Sequence, residues 1–241
     1  MKVFLKLPFI LVVLLFVQPA FSQKRADKNF RKGVAYAEKG EHDKAVKHFS
    51  KAIRINPSFV SAYYNRAYLE SKQNKYFEAI HDYSNALMFD PNQPTVYYNR
   101  AAAKEKMGDK RGAISDYTKA IEMNPKYVKA YVNRGAARSA VDDYLGAIAD
   151  YTAALELNPN DPYALYLRAY NKSRMGDYYA AIKDYTLSIE INPNFAEAYF
   201  NRALAKCDLG YSFGCCFDMK KAGELGLDEA NEAYQKHCKD H

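Results

Sequence analysis

The sequence predicts an all-α array of short antiparallel helix pairs, and three periodic features carry that expectation. First, Asn65, Asn99, Asn133, Leu167 and Asn201 stand in steps of 34 residues, each followed without a gap by Arg66, Arg100, Arg134, Arg168 and Arg202. Second, small residues recur in fixed register: Gly33, Ala67, Ala101, Gly135, Ala169 and Ala203, then Ala45, Ala79, Ala113, Ala147, Ala181 and Cys215. Third, a helix stop closes each period at Asn56-Pro57, Asp90-Pro91, Asn124-Pro125, Asn158-Pro159 and Asn192-Pro193. A residue before proline is pushed out of the α region, so a helix ends there. Self-similarity at this period is the mark of a stacked repeat architecture.

The elements follow in chain order. Residues 1–22 read as a signal peptide: Lys2 and Lys6 precede the apolar run PFILVVLLFV, and Ala20 and Ser22 suit a cut before Gln23. The array occupies 23–229, in six repeats at 26–59, 60–93, 94–127, 128–161, 162–195 and 196–229. Within the repeats, Gly40, Gly108, Gly176 and Gly210 mark tight turns between two helices. A bulky residue (Phe49, Tyr83, Tyr117, Tyr151, Tyr185 and Met219) faces the small columns once per repeat. One helix pair cannot bury both its faces, so each repeat needs a neighbour and the last one needs a lid. DEANEAYQKHCK supplies it, with Ala230, Ala233, Tyr234 and His237 at helical spacing, and 230–241 reads as capping helix and tail. No later stretch approaches the roughly 20 apolar residues of a membrane span. The expectation is an exported chain, periplasmic or secreted, with no membrane span once the signal is removed.

These columns resemble the tetratricopeptide repeat (TPR) family: small eighth and twentieth residues, an aromatic at twenty-four, a small twenty-seventh (Ala52, Ala86, Ala120, Ala154, Ser188, Ala222) and proline at thirty-two. The sequence departs from the family at the fourth position, where Tyr63, Tyr97, Tyr131 and Tyr199 replace tryptophan. It departs also at the eleventh, where Glu70, Lys104, Arg138, Lys172 and Lys206 replace tyrosine. The resemblance implies a right-handed superhelical solenoid whose first helices line a concave surface. It places ligand-facing residues at positions two, five, six, nine, twelve and thirteen. Asn65, Asn99, Asn133 and Asn201 fall at six, Tyr64, Tyr98, Tyr166 and Phe200 at five, Tyr68 and Tyr170 at nine, and Lys129 at two. An asparagine column resembles the asparagine ladder known in the family, where amides hold the backbone of an extended peptide. A purely structural bridge between neighbouring repeats is the competing role. The lysine-asparagine clamp of chaperone-binding members is absent, because Phe30 and Val34, or Tyr64 and Tyr68, hold its positions.

Sixteen residues after each arginine lies an acid: Asp82, Asp116, Asp150, Asp184 and Asp218. In the first repeat both change together, to Lys32 and His48. The fixed spacing predicts an ion pair joining the two helices of one repeat, with the arginine stem partly buried. A basic stripe for an anionic ligand is the weaker alternative.

Four cysteines crowd the C-terminal end, and an exported chain would pair them. Cys216 and Cys238 are placed to staple the cap, with Cys207 and Cys215, which flank the intervening turn, as a second bridge. The net charge of +7, or +5 once Lys2 and Lys6 leave with the signal, is spread along the chain and points to a solvated surface. No nucleic-acid partner is expected. His237, Cys238 and His241 lack a second cluster, so no metal and no cofactor is expected. No phosphate loop or nucleophile-base constellation occurs, so the chain reads as a non-enzyme. Of its 22 tyrosines, most of those in the repeat columns serve the core, which leaves glycan binding a minor alternative to a protein or extended peptide ligand. The main rivals are an architectural subunit assembling through end caps or convex faces and a non-catalytic partner presenting substrate to an enzyme.

Overall fold

The computed structural model describes the backbone of residues 9–238 and the side chains of residues 22–238. Apart from Ser22, the expected signal segment lies outside the described side chains. The expected cut before Gln23 falls within α1 (Phe9–Glu38). Among the described residues every regular element is an α-helix, and no helix is long and apolar enough to cross a membrane.

Two compact units divide after Gly108. The first holds α1, α2 (His42–Ile55), α3 (Val60–Lys72), α4 (Tyr76–Phe89) and α5 (Pro94–Lys106). The second holds α6 (Lys110–Met123), α7 (Val128–Ser139), α8 (Tyr144–Leu157), α9 (Pro162–Arg174), α10 (Tyr178–Ile191), α11 (Ala196–Asp208), α12 (Ser212–Glu224) and α13 (Asp228–His237). Within each unit every helix packs on the next in sequence. First helices of successive repeats also approach one another, α3 with α5 in one unit and α7 with α9 and α9 with α11 in the other.

The turns explain the spacing. Gly40, Gly108, Gly176 and Gly210 take positive φ, and at the two repeats without glycine Asn74 and Asp142 do so at 61°. Asn and Asp are the side chains that best tolerate this left-handed region, so the glycine column is complete in conformation although not in residue type. In the core, Tyr83, Tyr151 and Tyr185 are buried against the small columns, whose alanines are also buried. Gly135 answers a close approach: a Cβ there would meet Tyr151 Cε1 at 2.9 Å.

The arginine-aspartate pairs form in both units. Arg66 donates to Asp82 from Nε at 2.5 Å and from Nη2 at 2.7 Å. Arg134 and Asp150, Arg168 and Asp184, and Arg202 and Asp218 repeat this fork at 2.6–3.2 Å. Arg100 and Asp116 belong to different units; Arg100 is half-buried and Asp116 buried. The third nitrogen adds a tie that the sixteen-residue rule missed. Nη1 donates to a hydroxyl on the second helix of the preceding repeat: Arg66 to Ser50 at 2.8 Å, Arg100 to Ser84 at 3.0 Å, Arg134 to Thr118 at 3.0 Å, Arg168 to Thr152 at 3.3 Å and Arg202 to Thr186 at 3.0 Å. Ser84, Thr118, Thr152 and Thr186 each spend their own hydrogen on the carbonyl four residues back, which leaves the oxygen lone pair for the guanidinium. Arg66, Arg134, Arg168 and Arg202 therefore each close their own helix pair and clip it to the previous one.

The eleventh residue joins the same network. Arg138, Lys172 and Lys206 donate to Asp150, Asp184 and Asp218 at 2.9, 2.8 and 2.7 Å. The second repeat breaks this pattern with Glu70. Its Oε2 is buried without a hydrogen-bond partner, and its carboxyl is pushed up to about 7, first by burial and then by the charge of Asp82. In the first repeat burial, with Lys51 and Lys32 nearby, pushes the His48 imidazole down, and the ring meets Asn29 Oδ1 at 3.4 Å.

The cap closes the second unit. Phe200, Ala203, Met219 and Ala222 pack with Ala230 and Cys238 in one cluster. Cys216–Cys238 and Cys207–Cys215 are disulfide-bonded, with Cα atoms 5.5 and 5.3 Å apart. His237, expected on the packed side of the cap, is exposed; Cys238, one residue on, is buried there instead.

Candidate functional site

The candidate site is the face of the first helices, taken separately in each unit. In the first unit α3 carries Tyr64, Asn65 and Tyr68, and α5 carries Tyr98 and Asn99. Asn99 Nδ2 donates to the Tyr64 hydroxyl at 3.2 Å, and Asn65 Nδ2 to its own helix at Ser61 O, 2.7 Å away. The Tyr64 ring rests 6.1 Å from Tyr83 and 6.5 Å from Tyr68. Burial raises the Tyr64 phenol above its ordinary value, while the Asn99 bond opposes that shift. Tyr68 is exposed, with Lys72 Nζ 5.5 Å over its ring.

The second unit repeats the motif. Asn201 Nδ2 donates to the Tyr166 hydroxyl at 3.2 Å and to Glu197 O at 2.9 Å. Tyr166 packs on Phe195 at 4.8 Å and Tyr185 at 5.9 Å, and burial pushes its phenol up to about 12. Asn133 is half-buried on α7, and Lys129 stands exposed in the same helix's first turn. Leu167 and Tyr170 help to line a cavity of about 400 Å³ with Ser139, Asp142 and Arg174. There Arg174 Nη1 donates to the Tyr170 hydroxyl at 3.2 Å, and its guanidinium lies 5.0 Å over the Tyr144 ring.

Two findings revise the sequence expectation. Phe200 falls in the same column as Tyr64 and Tyr166 but is only 7 % exposed, because the cap and α12 close over it. It is a core residue and offers no contact face. The asparagines, for their part, divide their groups between two tasks. At Asn65 and Asn201 the neighbour is a main-chain carbonyl, which fixes the nitrogen inward. Among the described residues the Oδ1 atoms of Asn65, Asn99 and Asn201 accept no hydrogen bond. The amide nitrogens thus serve the fold, at Asn99 and Asn201 by bridging neighbouring repeats, and the carbonyl oxygens remain as acceptors. The signal that would have revealed this is the 35-residue spacing from Tyr64 to Asn99 and from Tyr166 to Asn201. Among the described residues no three His, Cys, Asp or Glu side chains gather into a group that could hold a metal ion; His241 lies outside them.

Helix pairs of this length, stacked through alanine columns behind an amide-and-tyrosine face, define a helical repeat protein. The chain belongs to the tetratricopeptide repeat family: models described as "TPR repeat" match residues 33–73 and 68–108, and models described as "Tetratricopeptide repeat" match 94–127, 128–161 and 162–195. An uncharacterized protein of Methanocaldococcus jannaschii is 41% identical over 44 residues, which are 18% of this chain and 51% of that protein. The chain thus spans about half the length of that curated relative. Among solved structures, the C-terminal part of a TPR repeat-containing protein from Cytophaga hutchinsonii superposes with a TM-score of 0.74 at 19% identity, covering 88% of this chain and 89% of that one. YrrB, described as a TPR protein with an unusual peptide-binding site, gives 0.69 at 23% identity over 78% of this chain and 97% of its own. MamA gives 0.64 at 26% identity over 67% and 95%.

Proposed function

We propose that the protein is an exported scaffold that holds an extended peptide or protein segment on its first-helix face. The observation that carries this reading is the amide oxygens left as acceptors at Asn65 and Asn99 beside the exposed ring of Tyr68 in the first unit, and at Asn201 in the second. Acceptors held by the fold suit the N–H groups of an extended backbone, and rigid aromatics beside them suit its side chains. Because the amides are already fixed, little ordering cost remains at binding. TPR proteins are typically non-catalytic scaffolds, and the peptide-binding site of the neighbour YrrB is consistent with this use of the face. Export rests on the character of residues 1–22 and on paired cysteines, since disulfides persist in oxidising compartments.

The test is photo-crosslinking capture from the exported compartment, with Asn65, Asn99 and Asn133 changed together to alanine as the control. Lost capture at unchanged helicity is the expected result. Undiminished capture would overturn the groove reading and favour assembly through the ends or outer faces of the array.

A further inference from the structure

The second helices of the last three repeats carry an apolar outer face that none of the described residues covers. Leu145, Tyr179 and Phe213, one repeat apart, are 68, 66 and 89 % exposed. Leu157 on α8, Leu187 and Ile191 on α10 and Phe217 on α12 extend the face, all of them exposed. Part of the pattern recurs on α4, where Phe77 and Phe89 are exposed, but it is weaker on α6. On α6, in the same unit as α8, the corresponding outer residues are Arg111, Ser115, Lys119, Glu122 and Met123, and Lys119 pairs with Glu122 at 2.8 Å. On α8 they are Leu145, Ala149, Ala153, Glu156 and Leu157, so Glu156 is the one charge among them.

Only two charges stand on the central helix's share of this face. Down the outside of α10 the sequence runs Tyr179, Lys183, Leu187, Glu190 and Ile191, and all five are exposed. Neither Lys183 nor Glu190 has an ion-pair or hydrogen-bond partner among the described residues. Their placement is self-complementary. A two-fold axis over Leu187 lays α10 antiparallel on its copy, so that Lys183, four residues before the axis, meets Glu190, three residues after it, on the second copy. The axis runs across the helices in the plane of the contact, so the pair forms twice and each flanking helix meets its own copy, α8 on α8 with Leu145 toward the second Leu157, and α12 on α12. We propose that the outer face of α8, α10 and α12 closes an isologous dimer with a second copy of this chain.

The size is right for it. At about 200 Å² for a fully exposed aromatic side chain and less for an aliphatic one, the seven apolar residues offer on the order of 700 Å². A stable interface takes roughly 800 Å² per partner. The face lies on the second helices, so a dimer leaves the first-helix face open.

Sedimentation equilibrium of the protein and of three variants tests the register. The wild type is expected to be a dimer. Lys183→Glu sets Glu against Glu twice in the interface and weakens association by at least about tenfold, as does Glu190→Lys. The double variant K183E/E190K restores the pair in reversed sense and recovers the wild-type association. Circular dichroism of each variant checks that the exposed substitutions leave the fold intact. A monomeric wild type overturns the proposal, and so does a dimer indifferent to both single reversals. Weakening that the double variant fails to reverse overturns the two-fold placement. Capture of a different protein or of vesicles on Phe213 and Phe217, with the wild type monomeric, assigns the face to another occupant.

Discussion

Glu70 occupies the one place in the described array where the local charge pattern is inverted, and its ionisation should make the second repeat sensitive to pH. Other repeats put Arg138, Lys172 or Lys206 there as a second donor to the buried aspartate. Glu70 instead faces Asp82, whose two oxygens are both taken by Arg66, with Glu78 and Lys75 nearby. A carboxyl raised from 4.5 to about 7 in the folded chain binds its proton more tightly there than in the unfolded chain. Its contribution to stability is therefore full below the unfolded value and is lost as pH rises through about 7. For a fully buried group the shift would be worth roughly 3 kcal/mol. Glu70 is half-buried, and solvent screening reduces the figure to about 1–1.5 kcal/mol. The measurement is urea unfolding of wild type and Glu70→Gln, followed by circular dichroism at about pH 5 and pH 8. Subtracting the two proteins removes the titrations they share. The wild type should lose about 1 kcal/mol more than the variant over that interval. Equal losses in the two proteins would refute the placement of Glu70 beside Asp82.

Two further outcomes test the packing. Asp184→Asn removes the carboxylate that accepts from Arg168 and Lys172 and leaves two cations around a buried neutral group, at a cost of about 3 kcal/mol in urea unfolding; unchanged stability with tighter anion binding would instead make the arginines a ligand stripe. Ala147→Leu inserts a branched side chain at a fully buried position and should lower stability by about 1–3 kcal/mol in a thermal melt, whereas a negligible change would contradict the helix register.

The repeat architecture was legible in the sequence because one unit is written six times. A column of alanine, glycine and cysteine can hold its composition only where backbones approach closely, so the small eighth and twentieth residues announced the helix pair before any coordinate. The Arg66–Asp82 pair was legible for a related reason: its two ends lie in one repeat, at a separation that the other repeats copy. Columns alone could not reveal what happens between repeats. The Arg66 to Ser50 tie and the Asn99 to Tyr64 bond join residues of different repeats, and nothing in either column's composition named the partner.

Position in a column also does not decide exposure at the end of a stack. Phe200 shares the fifth position with Tyr64 and Tyr166, yet the cap and α12 enclose it, because the last repeat has a helix over it where the others have another repeat. The sequence by itself determined the helix pairs, their register and their internal charge pairing, all of which depend on local spacing. Tertiary packing decided which half of each amide stayed free, which aromatic stayed exposed, and that one glutamate is left against an aspartate. Those outcomes depend on what the neighbouring helix brings to the contact, and no single period contains it.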